Sequence, residues 1–151
     1  MIKINNMSFL ITKLGSEYKA ETVLPGTTLT VGFYNDDTDQ ITYQHDLANI
    51  TTEPTDGNYA PQTFTAEKAE GTTKAKIRNA GSITFDLTNT TGSVNALYIK
   101  ATFQSDFAGD GSPTEHLVAT LQLRDADGPV TLDLSTETSW TIDAGLLAFE
   151  S

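Results

Sequence analysis

Apolar and polar residues alternate in one short segment after another from Thr27 onward. In the first of these segments the alternation places Leu29, Val31 and Phe33 on one side and threonines on the other. Successive side chains of a β-strand point to opposite faces, so each segment predicts a strand with one buried face. The same alternation recurs in segments 63–67, 82–88, 94–103, 117–124, 130–134, 140–143 and 146–150.

Turn-forming residues separate these segments. They include Glu70-Gly71, Asn79-Ala80-Gly81, Asn89 to Gly92, Gly109-Asp110-Gly111 and Asp127-Gly128-Pro129. Short strands separated by turns at regular intervals predict an all-β fold of about eight strands. This fold is either an antiparallel β-sandwich (jelly-roll-like) or a barrel. Because 151 residues is an ordinary length for one domain and the sequence shows no domain boundary, we expect a single domain spanning 1–151.

The first twenty residues carry the helical pattern of the chain. Apolar residues recur there at i, i+3, i+4, i+7 and i+11, at Met7, Leu10, Ile11, Leu14 and Tyr18. This spacing places them on one face of a helix and favours a short N-terminal helix or arm over residues 1–20. A strand from Ile2 to Leu14 is the alternative, because Ile2 and Ile4 alternate with polar residues.

A long acidic loop is predicted over residues 35–60. Connections longer than about 12–15 residues are uncommon in compact domains unless they have a function or internal structure. We expect a helical turn between Tyr43 and Ile50. Phe33 and Tyr59 flank the loop, which leads to the hypothesis that they anchor it onto the sheet.

The segment from Phe33 to Gln62 resembles small structural proteins of tailed viruses, including viruses of salt-loving archaea. The matching residues are Phe33-Tyr34, Asn35-Asp36-Asp37, Glu53-Pro54, Gly57, Tyr59-Ala60 and Gln62. In that family an apolar-Tyr pair ends a strand, an Asp-rich loop follows, and a Gly-x-Tyr-Ala-x-Gln segment leads into the next strand. Pro61 stands where the family pattern has Arg, so any ion pair of that Arg must be replaced here.

The formal charge of −11, from 20 acidic and 9 basic residues, argues against nucleic acid as a partner. Binding to the phosphate backbone depends on Lys and Arg. The acidity fits either a solvated, repulsive surface or adaptation to high salt, where the Debye length falls to about 3 Å. The chain has no cysteine and no stretch of eighteen apolar residues, so we expect no disulfide and no membrane span.

The residue pattern predicts no enzyme and no cofactor. The two histidines, His45 and His116, lie in no catalytic motif. We interpret His45 as a solvated loop residue and His116 as a strand-edge residue bonded to backbone or water. Glu115 and Glu137 neighbour apolar positions, but the alternation points them to solvent rather than into a glycosidase cleft.

Two groups of carboxylates are candidates for binding calcium or another cation. Asp36, Asp37 and Asp39 form one group, and Asp125 and Asp127 form the other. Oxygen-rich clusters suit Ca²⁺, but the second group departs from an EF-hand loop because glycine stands at position four instead of six. Acidic turns also form without metal, since Asp bonds its own backbone.

The resemblance implies a non-enzymatic structural protein of the virion. Within that class we expect a capsid-associated decoration or surface (turret-like) protein. Its partners would be copies of itself, in a homo-oligomer, and virion proteins such as the major capsid protein, and its apolar segment Met1 to Leu14 would make subunit contacts. The alternatives are a tail component, such as a tube, collar or completion protein, and a β-sandwich module that binds carbohydrate or a cell surface.

Overall fold

The alternating segments form strands in the computed structural model, which describes residues 6–12, 14–15, 28–69 and 76–150. Strands dominate the described residues, and the helical segments among them are short. The strands are β1 (Asn6–Ile11), β2 (Thr28–Tyr34), β3 (Gln62–Ala69), β4 (Lys76–Asn79), β5 (Ile83–Asp86), β6 (Ser93–Val94), β7 (Ala96–Phe103), β8 (Thr114–Asp125), β9 (Gly128–Pro129), β10 (Leu132–Asp133), β11 (Ser139–Ile142) and β12 (Ala148–Glu150). A short helix α1 (Asp36–Asp39) and two 3-10 segments (Leu47–Asn49 and Leu134–Thr136) lie between them.

Eight of the described strands join one antiparallel sheet, in which six strands curl into a half-barrel. Their order is β1-β8-β7-β2-β3-β4-β12, with β9 paired to β8. Two small sheets, β5 with β11 and β6 with β10, complete the architecture. The all-β antiparallel fold predicted from the alternation is therefore confirmed.

The main core packs residues of the large sheet against residues of the two small sheets, and the predicted inward residues are buried in it. Phe33, Phe85 and Trp140 form its aromatic centre, with ring centroids of Phe33 at 4.7 Å from Phe85 and 5.1 Å from Trp140. Burial of apolar surface drives this packing, and offset or tilted aromatic pairs add to it. The alternation of β5, buried then exposed, shows directly how the period of two produces this face.

A second apolar cluster lies on the opposite face of β2 and β7. It contains Tyr34, Ile41, Ala96, Tyr98 and Leu117, with Leu10, Leu47 and Ile50 packed against it. Strand neighbours such as Phe33 and Tyr34 point to opposite faces, so both faces of β2 are buried. The long loop supplies Ile41, Leu47 and Ile50, and it therefore acts as the cover of this face.

The predicted N-terminal helix is wrong for residues 6–11, which form β1 and pair antiparallel with β8 from Asn6 opposite Arg124 to Ile11 opposite Ala119. The strand alternative is right for this stretch. The reason is tertiary, because the edge of β8 supplies backbone partners that outweigh a weak helical pattern. Residues 1–5, 13 and 16–20 of the predicted arm lie outside the described residues.

The long loop contains the predicted helical turn and one that the sequence did not suggest. The predicted turn is the 3-10 segment Leu47–Asn49, which Asp46 caps in a reciprocal box with Asn49. The second is α1, where the Asn35 side chain accepts from the backbone N–H of Asp37. Such caps satisfy N–H groups that a helix start leaves without partners. Among the described residues no helix has the length and apolar character to cross a membrane.

Candidate functional site

The two long connections of the described chain meet at one side of β8. We call them together the loop face, defined as residues 35–60 and 104–113. The long loop packs over the outer side of β2 and β7, and the second connection joins β7 to β8. His116, near the start of β8, contacts one residue of each connection.

His116 lies between two carboxylates, and its side chain is only 5% exposed. Its Nδ1 is 2.8 Å from Oδ2 of Asp46, and its Nε2 is 2.5 Å from Oδ2 of Asp110. Thr114 Oγ1 lies 3.0 Å from the same Nε2, and the Phe103 ring packs on the imidazole with centroids 5.1 Å apart. Both ring nitrogens therefore face oxygen atoms.

The protonated His116 ring and the ionised carboxylates around it stabilise each other's charge. Burial opposes charging of the imidazole, but its hydrogen bonds to Asp110 and Asp46 outweigh burial and raise the pKa of His116 above its ordinary value. The hydrogen bond from His116 lowers the pKa of Asp110, with help from the Ser105 backbone and Thr114. An imidazolium donates from both nitrogens, whereas a neutral ring donates from one. The geometry thus fits the protonated form.

The interpretation of His116 as a strand-edge residue bonded to backbone or water is wrong. Its partners are carboxylates at sequence separations of 70 and 6 residues. Nothing local marks Asp46 or Asp110 as partners of His116, since the loops come together only when β7, β8 and the long loop are assembled. His45 is accounted for locally, because its Nδ1 accepts from the backbone N–H of Thr42 at 3.1 Å.

A second polar network anchors the end of the long loop. The Tyr59 hydroxyl accepts from the backbone N–H of Phe33 at 2.8 Å and donates to Oε1 of Glu53 at 3.0 Å. Tyr98 donates to the same Glu53 oxygen at 2.8 Å. Burial raises the pKa of both tyrosines, and Glu53 raises it further. Gly32 makes room for this network, because a Cβ there would lie 2.5 Å from the Tyr98 ring.

The hypothesis that Phe33 and Tyr59 anchor the long loop onto the sheet is supported by direct contact between the two residues. Besides the hydrogen bond, their ring centroids lie 6.0 Å apart, and the Tyr59 ring stacks on Phe85 at 6.0 Å with an interplanar angle of 6°. Glu53 was missed as a functional partner, although its Glu-Pro pair is part of the resemblance. A lone glutamate in a loop carries no local sign that two tyrosines will reach it.

The first group of cation candidates is used mainly to shape the long loop. Asp36 Oδ1 accepts from Tyr34 OH and from the backbone N–H of Ile41, both at 3.0 Å. The side chain of Asp39 accepts from Thr51 and Thr52 through both their hydroxyl and backbone groups. Burial opposes ionisation of Asp39, but these hydrogen bonds outweigh it and lower its pKa.

The other candidates show similar local bonding. Asp37 lies exposed in α1, and Asp125 Oδ1 accepts from the backbone N–H of Asp127 at 2.8 Å in the turn before β9. Within residues 6–12, 14–15, 28–69 and 76–150, no group of three or more acidic or histidine side chains is placed to hold a metal ion. Cation binding at either group stays a prediction.

The loop face also presents two aromatic side chains to solvent. Tyr43 is 47% exposed and Phe107 is 61% exposed, and these are the large exposed apolar side chains found among the described residues. Tyr34 and Trp140, by contrast, are buried. Glu115 is half exposed and pairs with Lys100 at 2.5 Å on the neighbouring strand.

Comparison with models of known protein families, with curated proteins and with solved structures found no match for this chain. The function is therefore inferred from the residues and the geometry described above.

Proposed function

We propose that this protein is a non-enzymatic structural component of a tailed virus particle, a capsid-associated decoration or surface protein that assembles with copies of itself. It would reside in the virion and contact proteins such as the major capsid protein. The observation that carries this proposal is the outer side of β1, the strand at one end of the main sheet.

The backbone groups of β1 divide into two sets. In an antiparallel pair, residues alternate between exchanging hydrogen bonds with the partner and pointing their N–H and C=O groups away. Thr12, opposite Val118, donates its N–H to the Val118 carbonyl at 3.2 Å. Because the bonded residues alternate along the strand, Leu10 and Ser8 also bond to β8. Phe9 and Met7, which lie between them in the alternation, point their backbone N–H and C=O groups away from β8.

The next strand pair supports the same assignment. Leu123 donates its N–H to the Asn95 carbonyl at 2.9 Å, so the odd-numbered residues of this part of β8 bond towards β7. Its even-numbered residues are left to bond towards β1. In the part of the chain that the structure describes, no strand pairs with the outer side of β1.

An edge of this kind favours addition of a strand from another chain. Natural edge strands that avoid such pairing carry lysine, proline or a bulge, and Asn6–Ile11 (NMSFLI) contains neither lysine nor proline. Pairing of β1 with β1 of a second copy would give a twofold dimer. Pairing with β12, at the other end of the sheet, would give a head-to-tail ring.

The charge of −11 sets the expected salt dependence of this association. Copies of one acidic chain repel each other, and the repulsion is screened as the Debye length falls from about 10 Å at 0.1 M to about 3 Å at 1 M salt. We therefore expect association to tighten at molar salt. The acidic surface also keeps the protein away from packaged DNA.

Light scattering of the purified protein at low and at molar salt tests the proposal. We expect a discrete closed oligomer that tightens with salt. Met7→Pro removes an N–H that points away from β8 and should reduce the mass, whereas Met7→Ala keeps that N–H and should leave the mass unchanged. A monomer at both salt concentrations would contradict self-assembly, and an oligomer unaffected by Met7→Pro would contradict the role of β1.

A carbohydrate-binding or cell-surface-binding module is the second candidate, and the exposure of Tyr43 favours it, since sugars stack on exposed aromatic rings. Titration calorimetry with simple oligosaccharides would detect it. Binding heat that disappears in Tyr43→Ala, from a protein that is monomeric at both salt concentrations, would support this module over the particle component.

A further inference from the structure

We propose that His116 is a pH-operated latch that holds the two halves of the loop face together. One imidazole ring makes the direct contact between residue 46 of the long loop and residue 110 of the second loop. The ring is nearly fully buried, and the Asp110 side chain that binds it is 13% exposed. This device is separate from the association of β1 and does not depend on the particle role.

Each carboxylate that binds His116 also organises its own loop. Asp46 Oδ1 accepts from the backbone N–H groups of Leu47 at 2.7 Å and Leu117 at 2.9 Å, which fixes the 3-10 segment against β8. Asp110 Oδ2 accepts from the backbone N–H of Ser105 at 3.1 Å, which closes the second loop. The position of each loop is therefore tied to the ring through one side chain.

The surroundings of His116 contain a defined set of charged groups. The long loop contributes Asp46, and the second loop contributes Asp110. From β7 the ring meets Phe103, and the neighbouring charges Lys100 and Glu115 neutralise each other in an ion pair. Two carboxylates thus face one ring, and a proton on that ring offsets their mutual repulsion.

Loss of the proton reverses this balance. A neutral imidazole can donate to Asp46 or to Asp110 but not to both, and the two carboxylates then face each other across an uncharged ring. Because the pKa of His116 is raised, the latch is fully closed below about pH 6.5, the ordinary histidine value. It opens as the pH rises through the raised value.

Opening of the latch would change the exposed surface. Tyr43 lies three residues before Asp46, and Phe107 lies three residues before Asp110. Both aromatics are exposed, and each belongs to a loop that the latch positions. In the open state the direct link between the two loops is lost, so the relative placement of these two aromatics is less narrowly defined.

Spin-label distance measurements test the latch directly. The chain has no cysteine, so Gln44→Cys and Ala108→Cys, at two exposed positions on the two loops, can be labelled specifically. We would record the distance distribution at about pH 6 and about pH 10, on either side of the range in which a histidine with a raised pKa loses its proton. His116→Gln removes the titration, and His45→Gln is the matched control in the same loop region.

In the wild-type background we expect a narrow distribution at the lower pH and a longer or broader one at the higher pH. His45→Gln should behave like wild type, and His116→Gln should give the broad distribution at both values. A wild-type distribution that does not change with pH, or a response that persists in His116→Gln, would overturn the latch.

A second measurement, on the protein without substitutions, tests the proposal even if the His116→Gln variant does not fold. The ring nitrogen chemical shifts of His116, followed by NMR across the same pH range, report its protonation. We expect a midpoint above the ordinary histidine value of about 6.5, with loop amide shifts that change at the same midpoint. A midpoint at the ordinary value near 6.5, or loop amides that do not follow the ring, would overturn the proposal.

Discussion

Removal of the Tyr59 hydroxyl measures how much its hydrogen bonds, which anchor the long loop, contribute to the free energy of unfolding. In Tyr59→Phe the N–H of Phe33, a residue that is 0% exposed, loses its acceptor at 2.8 Å. Glu53 keeps its second donor, Tyr98. A buried donor without a partner costs about 1–3 kcal/mol, so we expect a loss of about 2 kcal/mol in the free energy of unfolding.

The larger truncation adds the loss of the ring. In Tyr59→Ala the contacts with Phe33 and Phe85 are removed as well. Aromatic truncations in cores cost about 3–5 kcal/mol. Because Tyr59 is only partly buried, we expect the lower end of that range, about 3 kcal/mol.

Urea unfolding followed by circular dichroism measures both variants. With a slope of about 2 kcal/mol per molar urea, a loss of about 2 kcal/mol moves the midpoint down by about 1 M. Tyr98→Phe removes one bond to Glu53 and no bond to the backbone, so its midpoint should fall less than that of Tyr59→Phe. Tyr43→Phe, at an exposed tyrosine, should change stability by less than about 0.5 kcal/mol. Equal midpoints for Tyr59→Phe and Tyr43→Phe would refute the anchoring role.

Three further predictions concern other parts of the fold. Gly57→Ala should lower the free energy of unfolding by about 2 kcal/mol or more, because φ of residue 57 is +61° and the new Cβ would lie 2.4 Å from the Asn89 carbonyl. An unchanged midpoint in urea unfolding would contradict this. Thr90→Val should stabilise by about 1 kcal/mol, since among the described residues Thr90 Oγ1 is buried without a hydrogen-bond partner; destabilisation by the isosteric valine would argue for an unrecognised partner. The contribution of His116 to the free energy of unfolding should be complete below about pH 6.5 and should fall as the pH rises through its raised pKa. If the urea midpoints of wild type and His116→Gln depended equally on pH, other groups would be responsible.

Much of the fold could be predicted from the local alternation of apolar and polar residues. The N-terminal strand β1 could not be assigned in this way. Leu29, Val31 and Phe33 were predicted to be inward and are 0–1% exposed. Residues 6–11 satisfied both a helical and a strand pattern, and pairing with β8 decided between them. The side chains at the ends of the long loop were also recognised, because Phe33 and Tyr59 flank it in the sequence.

The candidate site was much less predictable. The carboxylates proposed as cation ligands, such as Asp36 and Asp39, were identified as a group, but the structure shows them bonded within their own loop. The partners of His116 were missed, since Asp46 lies 70 residues away. A histidine in an alternating strand looks the same in the sequence whether it faces water or two carboxylates.

The sequence by itself determined that this chain is built from antiparallel strands, where the turns fall in its described part, and that a long acidic loop interrupts the strands; the predicted turn Glu70-Gly71 lies outside the described residues. These are local properties, because a period of two and turn chemistry act over a few residues. Only the tertiary structure decided that β1 joins β8, that Glu53 receives Tyr59 and Tyr98, and that His116 links two loops. Most of those contacts, such as Asp46 with His116 and Glu53 with Tyr98, join segments that are distant in the chain and meet only when the sheet closes over its core.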